Sequence, residues 1–268
     1  MMTTSELKKT LSFTENLAQK VGEYLLDNQK KVTVLNYKNR QDILTNIDVG
    51  AEKIIIEAIE KKFPNHSIYS EEKGHIDKDS DYQWVLDPLD GTKYYVRDLP
   101  IYNTAINLLY RGKSILAVSY RPVEKQLYSA IKKGGFYYNG NRYTVSQTED
   151  IYKSFLFVGL PNSQLEKNDY ERKMEQFKKV NWASYRVRCL ADSMLGMGAT
   201  ARGAFDAFVD LYGKEKIWDV IAGILFVTEA GGVVTDLNGD QIQNNDTSKG
   251  ILATNGKIHN ELLSLLKL

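Results

Sequence analysis

Two aspartates in the stretch WVLDPLDGT, residues 84–92, are the side chains of this sequence best suited to chemistry. Asp87 ends an apolar, strand-like run, and Asp90 stands three residues later, directly before a Gly-Thr pair. Asp-Pro and Asp-Gly are common turn formers, so a turn alone explains most such dipeptides. In a tight Asp-Pro-Leu-Asp turn, both carboxylates and the carbonyl of Leu89 can also converge as the hard oxygen ligands that suit Mg²⁺.

Other acidic residues stand at the ends of predicted elements, where a site can be assembled. Glu71 follows the strand-like HSIYS, Asp48 opens a predicted helix, and Asp219 starts another helix whose next turns are apolar. Gly91 allows a ligand to approach the backbone closely, and the N–H groups of Gly91 and Thr92 can bind a phosphate. Cations on one side and N–H groups on the other would clamp a phosphoryl group.

Composition narrows the classes of protein. The chain has 268 residues, enough for one large or two small domains, and its net charge of +1 gives no general reason to bind nucleic acid or an anionic membrane. The single cysteine, Cys189, excludes an internal disulfide and is expected to be a small buried residue. No apolar run approaches the roughly 20 residues of a membrane span. We therefore expect a cytoplasmic protein.

The pattern of apolar residues predicts the elements that must position these carboxylates. Helical spacing runs from Leu7 to Leu25, and a second helix is predicted from Asp48 to Phe63, where Pro64 ends it. Five strand-like runs between residues 66 and 131 predict an antiparallel or mixed sheet. Helices and strands alternate through the remainder of the chain.

This order of elements predicts an α/β (α+β) fold of stacked helix and sheet layers. We expect an N-terminal half, 1–145, to carry most of the candidate ligands, and a C-terminal half, 146–268, to complete the site. The three histidines, His66, His75 and His259, show no metal-like spacing and are expected at the surface.

Three motifs in order carry a resemblance to a known family. WVLDPLDGT, with SEEKG upstream and WDVIAGILFVTEAGG downstream, closely resembles the inositol monophosphatase family of Mg²⁺-dependent, lithium-sensitive phosphatases. The resemblance covers nearly the whole chain. It implies a layered α-β-α-β-α sandwich, a homodimer, and two or three Mg²⁺ ions for which Mn²⁺ can substitute.

The resemblance also implies roles for residues that match the motifs. The implied metal ligands are oxygen donors: Glu71, Asp87, the Leu89 carbonyl, Asp90 and Asp219. The implied catalytic residues are Glu71 and Thr92, which would orient the attacking water, and Asp48, which would hold Thr92. The implied phosphate and substrate contacts are Asp90, Gly91, Thr92, Asp192, Ser193 and Asp219.

Two departures from the family pattern leave the substrate open. At LADSML, Ala191, Asp192 and Ser193 replace a small-polar signature. Asp192 could accept hydrogen bonds from a polyol, pair with an ammonium as in histidinol-phosphate phosphatases, or simply cap the following helix. Seven residues before the WD motif, where many members carry a glutamate that binds an inositol hydroxyl, this chain has Tyr212, and Glu215 lies nearer.

Lys93, directly after Asp-Gly-Thr, resembles the branch that acts on 3'-phosphoadenosine 5'-phosphate, although an exposed lysine is the simpler interpretation. The sequence therefore predicts a Mg²⁺-dependent phosphomonoesterase acting on a small polyol or sugar phosphate, with inositol monophosphate as the default. Histidinol phosphate, 3'-phosphoadenosine 5'-phosphate or NADP, and fructose 1,6-bisphosphate are alternative substrates. A metal-binding regulatory protein is the alternative from another class.

Overall fold

The computed structural model describes residues 2–39, 42–162, 164–190, 192–243 and 246–267. The chain forms two compact units, the first of Met1–Lys132 and Tyr137–Gly140, the second of Lys133–Phe136 and Asn141–Leu268. The boundaries between the units lie just before and within the hairpin of β9 (Gly135–Tyr138) and β10 (Asn141–Tyr143). Ala191, part of the predicted LADSML departure, lies outside the described residues.

Among its described residues, the first unit contains three α-helices and eight strands in addition to its part of β9. Its helices are α1 (Thr4–Asn28), α2 (Asn46–Lys62) and α3 (Thr92–Tyr95). Its strands are β1 (Val34–Asn39), β2 (Asp42–Thr45), β3 (Ser67–Ser70), β4 (Gly74–Ile76), β5 (Tyr82–Asp90), β6 (Asn103–Tyr110), β7 (Lys113–Arg121) and β8 (Gln126–Ile131).

Strand order and alternation explain how this unit builds its core. The strands of the large sheet that lie wholly in this unit follow the order β8-β7-β6-β5-β3-β4, with β3 and β5 parallel and the other neighbours antiparallel. Alternate residues such as Trp84, Leu86, Ile106 and Leu108 belong to one buried apolar cluster with residues of α1 and α2. Since successive side chains of a strand point to opposite faces, the intervening positions, including the candidate Asp87, belong to the other face.

The starts of both long helices are fixed by side-chain caps. Thr3 and Glu6 form a capping box at α1, and Thr45 caps α2, with Asp48 as its reciprocal partner. Asp48 was predicted to open α2, whereas the structure places it in the first turn, after the capping threonine. The predicted end at Pro64 is confirmed within two residues.

The second unit has a mixed five-stranded sheet. Its strands are β11 (Phe155–Gly159), β12 (Arg186–Arg188), β13 (Ala207–Asp210), β14 (Val233–Thr235) and β15 (Ile251–Thr254). Their order in the sheet is β12-β11-β13-β15-β14. Its helices are α4 (Lys167–Ala183), α5 (Ser193–Ala201), α6 (Ile217–Glu229) and α7 (His259–Leu266). A Cβ added to Gly223 of α6 would lie only 2.5 Å from Met197 Cε of α5, so these two helices pack closely.

The mixed α/β fold predicted from the sequence is confirmed, but two local predictions are wrong. Cys189 is exposed, because it follows the edge strand β12. His259 is buried, because Thr254 Oγ1 and Thr235 Oγ1 lie 2.9 and 3.2 Å from its two ring nitrogens and satisfy them. Among the described residues, no helix combines the length and apolar character required to cross a membrane.

Candidate active site

A β-bulge brings Asp87 and Asp90 to the same face of the sheet. Asp87 pairs with Ala105 and Asp90 pairs with Asn103, so three steps along β5 correspond to two along β6. Three residues apart on a regular strand, the two aspartates would point to opposite faces, whereas one extra residue restores the alternation. Pro88 fits this irregular position because it has no N–H to contribute to the ladder. The Asp-Pro-Leu-Asp segment is thus a bulge at the end of a strand.

Asp87 is buried and helps to hold the bulge in shape. Its Oδ1 accepts a hydrogen bond of 3.2 Å from the backbone N–H of Leu89. Its carbonyl accepts one of 3.4 Å from Thr104 Oγ1 on β6. The carboxylate of Asp87 and the carbonyl of Leu89, both predicted ligands, therefore belong to a single ordered bulge.

Glu71 lies beside the bulge. The backbone N–H of Glu71 donates to the carbonyl of Leu86 over 3.2 Å, directly beyond the parallel pairing of β3 with β5. Glu71 and Asp87 therefore leave the carboxyl ends of two adjacent parallel strands, the position where open α/β sheets bind ligands.

Lys38 of the β1–β2 hairpin is bonded to two glutamates at this place. Its Nζ lies 2.8 Å from Glu71 Oε1 and 2.6 Å from Glu72 Oε1. Burial opposes the charged form of Lys38, but the two carboxylates outweigh it and raise the pKa of the ammonium. In this conformation the ammonium neutralises charge on Glu71, so a metal ion that uses the same oxygen must displace it.

Glu52 of α2 holds the segment that presents Glu71. Its Oε1 accepts hydrogen bonds from the backbone N–H groups of Glu72, over 3.2 Å, and Lys73, over 2.9 Å. The hydroxyl of Ser70 donates to the same oxygen. The turn after β3 is therefore fixed to the helix by a buried carboxylate.

Thr92 and Asp48 form a hydrogen-bonded pair between the starts of α3 and α2. Thr92 Oγ1 lies 2.7 Å from Asp48 Oδ1 and 2.9 Å from the carbonyl of Leu89. The other oxygen of Asp48 accepts from the backbone N–H of Thr45 over 2.9 Å and from its hydroxyl. Burial raises the pKa of Asp48, against the opposing effect of these hydrogen bonds. Thr92 and Asp48 thus have the contact that the resemblance implied.

Gly91 is required by the turn into α3. It adopts φ 89° and ψ 27°, in the left-handed region that glycine tolerates. A Cβ at this position would lie 2.5 Å from the carbonyl oxygen of Ile101. The backbone at Gly91 therefore packs too closely against the following loop for any other residue.

Three predicted site residues belong to the second unit. Asp192 caps α5, its Oδ1 accepting from the backbone N–H of Leu195 over 2.7 Å, and Ser193 is the first residue of that helix. Asp219 lies in the first turn of α6, and its Oδ2 accepts from the backbone N–H of Lys216 over 2.9 Å. The capping role of Asp192 is confirmed, while its contact with a substrate stays a prediction.

The loop before α6 contains a buried acidic residue that the sequence analysis did not single out. Asp210, at the end of β13, is fully buried, and its two oxygens accept from the backbone N–H groups of Tyr212 over 2.8 Å and Gly213 over 3.0 Å. Burial raises the pKa of Asp210 to about 6, although both N–H groups and the charge of Lys173 lower it. The carboxylate nearest to the end of the strand is therefore used to shape the loop.

The donor chemistry of the first unit fits a hard divalent cation. In the part of the chain that the structure describes, no three acidic, histidine or cysteine side chains are already gathered as a metal cage. The bulge and its neighbour nevertheless offer only oxygen donors, the carboxylates of Asp87, Asp90 and Glu71 and the carbonyl of Leu89, as Mg²⁺ prefers. Lys38 meanwhile provides the positive charge that Glu71 requires.

Sequence reasoning missed the residues that hold the candidate ligands. Lys38, Glu52 and Asn103 contact Glu71, its following turn and Asp90 across 33, 20 and 13 residues of sequence. Such partners come from other elements of the fold, a hairpin strand, a helix and a paired strand, and carry no spacing signal. Nothing in the sequence set Asn103 apart, because the same strand run also contains Thr104 and Asn107.

Layered helices and mixed sheets, with oxygen donors at the ends of adjacent strands, are features of the sugar-phosphate phosphatases that the sequence resembles. A profile of the inositol monophosphatase family matches residues 6–267. The chain therefore belongs to the inositol monophosphatase family, whose members are phosphatases.

Individual relatives support this membership. A Pasteurella multocida protein named Nus factor SuhB is 34% identical over 231 residues, 86% of this chain and 84% of that protein. A protein of Aquifex aeolicus named fructose-1,6-bisphosphatase/inositol-1-monophosphatase is 32% identical over 263 residues, 97% of this chain and 96% of the relative. The solved extragenic suppressor protein suhB of Bartonella henselae has a TM-score of 0.89 at 28% identity, covering 97% of this chain and 98% of its own.

Proposed function

We propose that this chain is a Mg²⁺-dependent phosphomonoesterase that hydrolyses a small polyol or sugar phosphate, with inositol monophosphate as the first substrate to test. The observation that carries the proposal is the bulge that turns Asp87 and Asp90 to one face of the sheet. Glu71 beside the bulge and the Thr92–Asp48 pair after it complete the oxygen-rich part of the site.

The proposed metal ligands in the first unit are Glu71, Asp87, the Leu89 carbonyl and Asp90, and Asp219 is the proposed ligand in the second unit. Two or three Mg²⁺ ions are part of the proposal, with Mn²⁺ as a substitute and with lithium sensitivity as in the family. When bound, such ions neutralise the charge of phosphoryl oxygens and make a bound water more acidic.

Thr92 and Asp48 act on the water in this proposal. A hydroxyl has one proton to donate, and if Thr92 donates it to Asp48 Oδ1, the lone pairs of Thr92 Oγ1 accept a hydrogen bond from water. Asp48 is held by Thr45 through its other oxygen, so its role is to fix the direction of the Thr92 hydroxyl. Glu71 is the proposed second acceptor for the same water.

The phosphate contacts proposed from the resemblance are the backbone N–H groups of Gly91 and Thr92. Asp192 and Ser193 are proposed on the leaving-group side, where Asp192 could accept from a polyol in addition to capping α5. Lys93 is exposed. If the substrate carries a second phosphate, the proposed role of Lys93 is to bind it. A homodimer in the cytoplasm completes the proposal, and light scattering tests the dimer.

The substitution Asp90→Asn tests the assignment. It removes the negative charge from a proposed ligand while keeping the shape of the side chain, so we expect Mg²⁺-dependent phosphate release to be abolished with the fold intact. Asp81→Asn, at an exposed ion pair with Arg111 just before β5, is the control that should retain activity. Retention of most activity by Asp90→Asn would refute the proposed site.

A phosphate-release screen tests the substrate. The substrates are inositol 1-phosphate, histidinol phosphate, 3'-phosphoadenosine 5'-phosphate, NADP and fructose 1,6-bisphosphate, each with and without lithium. Fructose 1,6-bisphosphate has particular interest because the Aquifex aeolicus relative carries both activities in its name.

A second candidate function is a metal-binding regulatory protein. Relatives 30–34% identical to this chain are named Nus factor SuhB, which favours this alternative. If calorimetry detects Mg²⁺ binding while no substrate in the screen releases phosphate, the regulatory function gains over the enzymatic one.

A further inference from the structure

A chain of three hydrogen-bonded side chains crosses the sheet behind Asp90. Asn103 Nδ2 on β6 donates to Asp90 Oδ2 over 2.7 Å. Ser119 Oγ on β7 donates to Asn103 Oδ1 over 2.8 Å. Asn103 and Ser119 are both 0% exposed, so neither side chain can exchange its partner for water.

The direction of this chain is fixed by chemistry. An ionised carboxylate can only accept hydrogen bonds, so the NH₂ group of Asn103 must face Asp90. The amide oxygen then faces Ser119, whose hydroxyl must donate. Both ends of the amide are therefore specified, and Asn103 cannot flip without placing its oxygen against the carboxylate.

We propose that Asn103, held by Ser119, is a positioning residue that sets the rotation of the Asp90 carboxylate for metal binding. The inference rests on the proposed function, since it takes Asp90 as a metal ligand. Rotation of an aspartate carboxylate about its last bond is soft, so one buried donor at a fixed place can determine where its oxygens point. The bulge makes the contact possible, because it pairs Asp90 directly with Asn103.

The same two strands contain a matched control. Asn107 on β6 is also buried, and its amide exchanges hydrogen bonds of 3.1 and 2.9 Å with Ser114 Oγ on β7. Its cross-strand partner on β5 is the apolar residue Val85. Replacement of either asparagine by alanine therefore removes a buried amide and its hydrogen bond to a serine, but only Asn103→Ala removes a donor to a carboxylate.

The experiment measures the affinity of the full chain for Mn²⁺ and Mg²⁺ by calorimetry, with stability from urea unfolding of the same samples. Residues that orient metal ligands typically change metal affinity by about 10- to 100-fold, so we expect Asn103→Ala to raise the Kd by that factor. Asn107→Ala should lose comparable stability and keep the wild-type Kd. Equal Kd values for the two variants would overturn the proposal.

Substitutions of Ser119 provide a second test of the positioning role. Ser119→Ala should weaken metal binding less than Asn103→Ala, and Ser119→Thr, which keeps the hydroxyl, should restore the affinity. Because Ser119 acts through the amide, Ser119→Ala should have no further effect on the Kd when Asn103 is already alanine. Additive effects of the two substitutions would contradict this order of action.

The outcomes separate this inference from the proposed function. If the wild-type protein binds neither ion, the metal-dependent function fails, and the inference fails with it. If the wild-type protein binds metal and Asn103→Ala binds it equally well, only the positioning role of Asn103 is refuted.

Discussion

Replacement of Gly91 by alanine tests whether the close packing beneath the candidate phosphate site is essential. Two costs are expected. The left-handed conformation at φ 89° costs a residue with a Cβ about 1–2 kcal/mol. The added Cβ would also lie 2.5 Å from the carbonyl oxygen of Ile101, and overpacking of this kind costs about 1–3 kcal/mol. The free energy of unfolding should therefore fall by about 2–5 kcal/mol.

Gly112 provides the control for the first cost. It has φ +73°, and no atom lies within 4 Å of its added Cβ, so Gly112→Ala should lose only the conformational part, about 1–2 kcal/mol. Both variants are compared with wild type by urea unfolding. Equal losses for the two would refute the packing argument.

The clash at Gly91 should also reduce turnover. To relieve the contact, either Gly91 or the loop at Ile101 must move. A movement of Gly91 would shift the next residue, Thr92, whose hydroxyl lies 2.7 Å from Asp48 Oδ1. A displacement of about 1 Å at a reacting group can cost roughly 100-fold in rate. We expect a loss of that order in kcat for folded Gly91→Ala and none for Gly112→Ala. Full activity of Gly91→Ala at reduced stability would separate the turn from catalysis.

Two buried groups predict opposite effects of pH on stability. The pKa of Asp210 in the folded protein, about 6, lies above its ordinary value of 3.8, so its contribution is complete below about pH 4 and is lost as the pH rises through 6. Relative to Asp210→Asn, wild type should lose about 2 kcal/mol between pH 4 and 7, measured by urea unfolding at each pH, and a constant difference would contradict the argument. Burial lowers the pKa of His259, so its contribution is present above about pH 6.5 and is lost as the pH falls. Thermal unfolding should show wild type losing stability relative to His259→Gln on acidification, and parallel curves would exclude this effect.

Local patterns in the sequence predicted the elements that carry the candidate site. Apolar spacing predicted α1 and α2, and the runs ending at Ser70 and Asp87 predicted β3 and most of β5. These predictions succeed because helix and strand periods are properties of short segments. The convergence of Asp87 and Asp90 was predicted as a turn, and the structure shows a bulge within a paired strand.

Contacts between side chains far apart in the sequence were not predictable in the same way. The partners of Glu71 and Asp90 are Lys38, from a hairpin that the sequence analysis did not identify, and Asn103, from the next strand. The hairpin strand β1 is exposed along its whole length, so it lacks the apolar alternation that marks a strand. Its place is set by pairing with β2 and by the charge on Lys38.

The predictions that Cys189 is buried and that His259 is exposed were wrong for a related reason. Cys189 was assigned from the average behaviour of cysteine, and His259 from its lack of metal-like spacing. Whether a polar ring is buried depends on partners such as Thr235 and Thr254, which approach from other elements. Whether a cysteine is covered depends on whether its strand lies at the edge of a sheet.

Asp210 bears on how this chain could recognise its substrate. Counted back from Asp219, the family glutamate position falls on Tyr212, but the acidic residue at the end of the strand is Asp210. Its carboxylate is 0% exposed and both oxygens accept from the loop's own N–H groups, so it has no surface to offer an inositol hydroxyl. Under the proposed function, discrimination between polyols would then depend on other groups. Asp192, although it caps α5, is the carboxylate on which the screen of phosphate esters should be repeated, with the variant Asp192→Asn. If Asp192→Asn reduces phosphate release from one substrate only, Asp192 contacts the leaving group of that substrate. If release falls equally for all substrates, the role of Asp192 is only to cap α5.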